Sequence, residues 1–477
     1  MNLPSLDTWI AGRRETTPEP AGDFVNPNTG DVLAPLYSSS AEQVERAVAS
    51  AAAAHEAGDW LALGAAGRAD ALRRIASVLD ARHERIGELD ALCSGVPIAT
   101  MSLIAGSLPG VFRDAAELIE SIGDETVLPG ERDVRLRHLP WGPTAILLPW
   151  NVPAGTAAKK IALALAAGAP LVVKPSSQAP WGPQLIVEAA MDAGLPAGML
   201  SLVHGSVGRA LVADARVAAI AMTGGTPTGR SIAAAAAPRF ARLQLELGSS
   251  NPAIVLADAD LDDAVSRVVS GVTKLSGQWC EAPERVFVPA GVRDAFAERL
   301  VAALSSIRIG PASDPATELG PICSTAHRDE LVAGVDALVA RGGRATAAQA
   351  VPSAGSFLSP TVIVLDQPWS DAEEFFGPIV VVRGYDDLDE AVAEANSGQT
   401  GLAAYVFGSD EQHALRVGAR MKVGEVKVNG TSVLDMASGS MQNFFGASGI
   451  GGHGDRAVLE FFRGVQVLGV DNPDLPL

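Results

Sequence analysis

Cysteine is scarce in this chain: Cys93, Cys280 and Cys323 are the three present in 477 residues. An odd set with long, irregular spacing supports neither a disulfide framework nor a zinc-ligand pattern, so a reduced, cytoplasmic setting without a bound metal is expected. Basic residues are the minority, 36 against 55 acidic, a net charge of −19. Such a balance disfavours broad attraction to nucleic acid or anionic lipid, while leaving room for a local basic pocket. Long apolar runs are missing too. The most apolar stretch, residues 161–173, is broken by Gly168 and Pro170 and falls short of the ~20 residues that cross a bilayer. Residues 1–7 lack the basic start and apolar core of a signal peptide, so a soluble protein is expected. Charged residues reach just 19% beside 48% hydrophobic, which excludes extensive disorder.

What is present reads as alternating α and β. A chain of 477 residues exceeds one ordinary core, so two or three domains are expected. Ser40 with Gln43 three positions later predicts a capped helix start, and Leu72, Ile75, Leu79, Ile86 and Leu89 predict a second helix on one apolar face. From residue 143 short apolar strands (144–148, 171–173, 199–203, 217–221) alternate with helical runs (154–167, 185–192, 207–214). That alternation predicts a parallel sheet covered on both faces, which binds ligands beyond the carboxyl ends of its strands. A second α/β unit begins near Gly248, with strands at 253–256 and 285–288 around a helix at 262–274; residues 345–359 read as a surface connection.

Three polar residues form a covalent-catalysis set: Cys280 in Gly277-Gln278-Trp279-Cys280, Glu246 in Leu245-Glu246-Leu247-Gly248, and Asn151 in Pro149-Trp150-Asn151. A thiolate can attack a carbonyl, an amide can stabilise the oxyanion, and a carboxylate can activate water to release the acyl group. Cys93 and Cys323 read as buried or incidental thiols. In order and spacing the three motifs resemble the aldehyde dehydrogenase superfamily. The resemblance runs from Asn26-Pro27-Asn28-Thr29-Gly30 to Ser448-Gly449-Ile450-Gly451 and is most specific at residues 146–176, 245–252, 277–283 and 374–378.

The resemblance implies an aldehyde dehydrogenase-like α/β fold: a Rossmann-type cofactor domain at residues 1–120 and 141–247, a catalytic domain at 248–440, and a β oligomerisation element at 121–140 and 441–477. It implies oxidation of an aldehyde through a Cys280 thiohemiacetal and thioester, hydrolysed with help from Glu246, whose pKa is expected to be raised by partial burial. NAD or NADP is implied as cofactor. Lys174, at a strand's carboxyl end, and Ser176 would face the adenosine ribose, and Ser177, standing where a glutamate would repel a 2′-phosphate, favours tolerance of NADP. Gly225 and Thr226 open a helix that would receive the pyrophosphate; the Gly205 turn is a further candidate, though an ordinary turn fits it as well. Leu148, Trp150 and Leu247 flank the motifs as further cofactor contacts. Glu374 and Phe376, in Glu374-Phe375-Phe376-Gly377-Pro378, would meet the nicotinamide ribose and ring, with Phe375 in core packing.

Lys160 reads equally as an active-site lysine or as a helix-surface lysine. Trp279, Phe444 and Phe445 suggest an apolar or aromatic aldehyde, although core packing accounts for them as well. Two departures from the family pattern stand out: Ser249-Ser250 replaces Gly-Lys, and Met441-Gln442-Asn443-Phe444-Phe445-Gly446 replaces the usual Pro-Phe-Gly-Gly run. Residues 131–139 alternate like a strand of the family's oligomerisation hairpin, so a homodimer or homotetramer is expected, with a small-molecule aldehyde as the substrate. Two rival readings are an acylating enzyme, in which coenzyme A takes the acyl group, and a catalytically silent homologue. Glu246 argues against the first and the retained trio against the second.

Overall fold

The protein is described from a computed structural model covering residues 3–369, 372–398, 400–433 and 436–471. An eight-stranded sheet runs in the order Arg13–Thr16, Asp7–Ile10, Leu200–Leu202, Leu171–Lys174, Thr144–Leu147, Ala219–Thr223, Arg242–Glu246, Gly449–Ile450. Its five central strands are parallel. Antiparallel strands close both edges, one from the N-terminal hairpin and one from the C-terminal loop. Successive strands are laid outward first on one side of Thr144–Leu147 and then on the other, so the order reverses between it and Ala219–Thr223. Chain crossings diverge at such a reversal and leave a crevice beyond the strand ends.

The predicted helices and strands form with small shifts. Ser40 caps Ala41–Ala57 reciprocally with Gln43. The face predicted over residues 72–89 belongs to two helices, Gly64–Leu79 and His83–Ser94, which share one periodicity but break at residues 80–82. The stretch 345–359 is not wholly a connection, because Arg344–Ala347 adds an antiparallel edge strand to the second sheet. Its alanines and threonine are exposed, so no hydrophobic alternation marks it.

That second sheet has seven strands in the order Arg344–Ala347, Thr361–Val364, Ile379–Tyr385, Arg285–Pro289, Pro252–Val255, Ala403–Phe407, Glu425–Val428, parallel apart from the first pair. Residues 247–251 link the two sheets, so Glu246 at the carboxyl end of one strand leads almost directly to the amino end of Pro252–Val255. The cavity therefore lies between the carboxyl ends of the first sheet and the amino ends of the second. A third, three-stranded sheet joins Glu125–Val127, Val134–Pro140 and Arg463–Gly469. Among the described residues no helix is long and apolar enough to cross a membrane.

Candidate active site

One cavity of about 850 Å³ occupies the seam between the sheets. From the first sheet it receives Leu148, Trp150 and Asn151 after strand Thr144–Leu147, Lys174 and Ser176 after the next, Thr223, Gly224 and Gly225 after the third, and Glu246 and Leu247 after the fourth. From the second it receives Cys280 and Glu281 ahead of strand Arg285–Pro289, Glu374 and Phe376 ahead of Ile379–Tyr385, and Lys427 on Glu425–Val428.

The cysteine loop is held in an uncommon backbone shape. Leu275, Ser276 and Gly277 all have left-handed φ, at 52°, 60° and 79°. For the two residues with a Cβ this conformation costs on the order of 1 kcal/mol each. Gln278 is fully buried and secures the turn: its Nε2 donates to Ser94 O at 3.0 Å, and its Oε1 accepts from Cys323 N at 2.7 Å. Asn251 Nδ2 donates to the carbonyls of Cys280 and Ala282 at 2.8 and 3.0 Å. Both sides of Cys280 are thereby anchored.

The Cys280 Sγ donates to Glu246 Oε1 at 3.9 Å. Burial, then the negative charges of Glu246, Glu281 and Glu374, push this thiol well above its usual range. Asn151, which donates to Gln278 O at 2.9 Å, faces the same cavity. The turn that carries it is steadied by Asp90, whose Oδ2 accepts from Ala154 N at 3.0 Å in the first turn of helix Pro153–Ala167.

Glu246 departs from expectation in its acidity. Burial acts to raise its pKa, but His453, with its Nε2 at 3.1 Å from Oε1, Lys160 and the Thr223 hydroxyl at 3.1 Å from Oε2 outweigh it and bring it down to about 2. Lys160 is no surface lysine. It is buried, donates to Gln244 Oε1 at 2.8 Å, and burial lowers it to about 8 against the pull of Glu246. Neither His453 nor Gln244 was legible in the sequence. His453 lies in the altered C-terminal loop, 207 positions from Glu246 by number, where no local pattern marks it.

The other side of the cavity is built for a polar, extended ligand. Lys174 is half-buried at its strand end, with Pro175 O at 3.1 Å, and burial lowers its pKa. Helix Thr226–Ala236 points its first turn at the crevice with Gly225 as N-cap and no side-chain cap on its free N–H groups. Glu374 accepts from Ser249 N at 3.1 Å, and burial raises its pKa. The buried Glu284 accepts the N–H groups of Phe375 and Phe376, which locks Phe376 at a φ of 59° with its ring edge-on to Trp150 at 5.2 Å.

Comparison with known proteins adds the decisive observation: residues 14–468 match the model of the aldehyde dehydrogenase family. The chain belongs to that family. Over 97% of this aldehyde dehydrogenase and 96% of the relative, it is 35% identical to a betaine aldehyde dehydrogenase of Cereibacter sphaeroides. It is also 35% identical to a geranial dehydrogenase of Castellaniella defragrans over 88% of this chain and 89% of the other. Among solved structures it resembles betaine aldehyde dehydrogenase from Staphylococcus aureus in complex with NAD+, with a TM-score of 0.92, 29% identity and coverage of 99% and 96%. The enzyme is thus an NAD(P)-dependent oxidoreductase acting on an aldehyde.

The residues present fit a dinucleotide: an ammonium at a strand end, an uncapped helix N-terminus and a carboxylate able to take two vicinal hydroxyls all face one crevice. Of the cofactor residues predicted for this aldehyde dehydrogenase, Leu148, Trp150, Lys174, Ser176, Gly225, Leu247, Glu374 and Phe376 line the cavity. Ser177, Gly205 and Thr226 lie outside that lining. Gly205 has a φ of 81°, and a Cβ there would strike Ser38 at the end of strand Val32–Ser38, so that close approach explains its glycine. Phe375 packs against Trp369 at 5.8 Å, as predicted. Phe444 turns its ring to His453 at 5.0 Å, and Phe445 is largely exposed.

Proposed function

We propose that this enzyme oxidises an apolar aldehyde to the carboxylic acid by a hydrolytic route. Cys280 loses its thiol proton to solvent and its thiolate attacks the aldehyde carbon, while Asn151 with the Cys280 N–H stabilises the oxyanion of the thiohemiacetal. Residues 1–120 and 141–247 would carry the dinucleotide site, and 248–440 the nucleophile. NAD or NADP, held by Lys174, Glu374 and the helix opening at Thr226, supplies the hydride acceptor when bound. Glu246 then takes a proton from the water that attacks the thioester, and Cys280 leaves as thiolate.

The observation that carries this reading is the placement of Glu246 Oε1 3.9 Å from Cys280 Sγ in a single cavity. An acylating enzyme has no need of such a carboxylate.

Val152, Val433, Met436, Met441 and Val458 contribute apolar side chains to the cavity lining. A quaternary ammonium aldehyde, such as the one named for the betaine aldehyde dehydrogenases, gains most from an open aromatic face. Trp279 is 4% exposed and already has two of the protein's own cations near it, Lys274 Nζ at 5.4 Å and Lys427 Nζ at 5.9 Å from the ring centre. An apolar aldehyde meets no such conflict. Reduced-nicotinamide absorbance over a panel of geranial, octanal, benzaldehyde and betaine aldehyde, with each cofactor, tests the reading. Higher kcat/KM for the apolar members is expected; preference for betaine aldehyde would overturn the substrate assignment.

A further inference from the structure

The C-terminal loop places an imidazole against the carboxylate of Glu246. His453 lies on the short strand Gly452–His453, opposite Gln442 on Gln442–Asn443. The loop is clamped to the first sheet on the strand that carries Glu246: Gly449–Ile450 pairs with Leu245 and Glu246, and Gln244 Nε2 donates to Gly452 O at 3.1 Å. The position of His453 Nε2, 3.1 Å from Glu246 Oε1, follows from that clamp rather than from a mobile side chain on a free loop. Phe444 closes one face of the imidazole at 5.0 Å.

We propose that His453 is the positioning residue of Glu246: as an imidazolium it holds the carboxylate ion-paired and inert, and as a neutral imidazole it releases it to act as base. This rests on the reading of Glu246 as the base that hydrolyses the thioester. In that step a water O–H bond breaks and its proton goes to Glu246. The water oxygen bonds to the acyl carbon, the C–S bond breaks, and the Cys280 thiolate takes the proton from Glu246.

Charged groups from every packed element act on the pair. Glu246 and Glu281 favour the imidazolium, Lys159 opposes it while pairing with Asp455 at 3.0 Å, and Lys160 and the Thr223 hydroxyl act on Glu246 from the other side. Burial lowers the pKa of His453, yet the balance with Glu246 raises it above 6.5. Thioester hydrolysis should therefore rise with pH through an ionisation above 6.5, at about tenfold per pH unit on the acid limb.

The test uses the full chain acylated on Cys280 with p-nitrophenyl acetate, desalted, and followed by intact mass as the acetyl group is lost. Wild type, Glu246→Gln, His453→Gln and His453→Asn are compared across pH. Expected are a rising profile for wild type, a flat one for at least one of the two His453 variants, whose amides can still donate to Glu246, and a stall at every pH for Glu246→Gln. If every folded His453 variant keeps the wild-type profile, the role of His453 is overturned while that of Glu246 stands. A stall at every pH in both also overturns it, because the loop and not the ionisation is then what was lost. Loss of acetyl from Glu246→Gln at the wild-type rate would instead sink the base assignment on which the proposal depends.

Discussion

In the proposed mechanism Cys280 and Glu246 act in sequence, so their substitutions should fail at different stages. Cys280→Ala should abolish reduced-nicotinamide formation with every aldehyde, because no other thiol reaches the cavity: Cys93 and Cys323 are buried and neither lines it. Glu246→Gln should leave a first-turnover burst and cut the steady-state rate by roughly a hundredfold or more, as loss of a general base does; stopped-flow absorbance separates the two. Ser177→Glu should raise the NAD over NADP ratio of kcat/KM, since a carboxylate beside the ribose repels a 2′-phosphate, and an unchanged ratio would count against the argument. These residues were readable because their motifs are local. Gly277-Gln278-Trp279-Cys280 stands together in the chain, whereas His453, Gln244 and Asn251 meet the site only through sheet pairing and could not be read. The raised pKa expected for Glu246 was wrong for the same reason: the cations that lower it, His453 and Lys160, arrive from other elements.

The elements around the site depend on close backbone contacts that particular residues permit. Strand Gly449–Ile450 adds to the sheet at Glu246 because Gly449 has a φ of 137° and a Cβ there would fall on the carbonyl oxygen of Leu245. Gly449→Ala should therefore detach the loop, lower stability by about 1–3 kcal/mol, and depress thioester hydrolysis more than its formation, as thermal melts and burst amplitudes would show. Helix His83–Ser94 supports the Asn151 turn through Asp90, whose pKa burial raises to about 8 from 3.8 and whose Oδ1 has no hydrogen-bond partner among the described residues. A carboxyl group with a raised folded pKa keeps its proton in the fold while the unfolded chain ionises, so its penalty is absent below 3.8 and grows up to about 8. Asp90→Asn, which keeps an acceptor for Ala154, should thus gain Tm relative to wild type as pH rises through that window. Elements such as Pro153–Ala167 and Leu171–Lys174 were foreseen from apolar periodicity; the break at residues 80–82 was not, because both helices continue one apolar face.

At the scale of the molecule, the three-stranded sheet ends on Arg463–Gly469, which leaves Val465, Val467 and Leu468 exposed with one edge outside the sheet order. An apolar sheet edge of this kind invites pairing with another copy. A homodimer or homotetramer is expected, and Val467→Arg should shift the mass seen by light scattering toward the monomer. The amino-acid sequence by itself determined the α/β class and the family, and marked Cys280, Glu246 and Asn151 as candidates, since these depend on periods and motifs within a few residues of one another. The tertiary structure alone decided that the cavity lies between the carboxyl ends of one sheet and the amino ends of the other, and that Lys160 is buried. It also decided that the C-terminal loop carries His453 to Glu246. Those facts come from pairings between segments more than two hundred residues apart, where the strength of a contact depends on which surfaces the fold brings together and not on any neighbour in the chain.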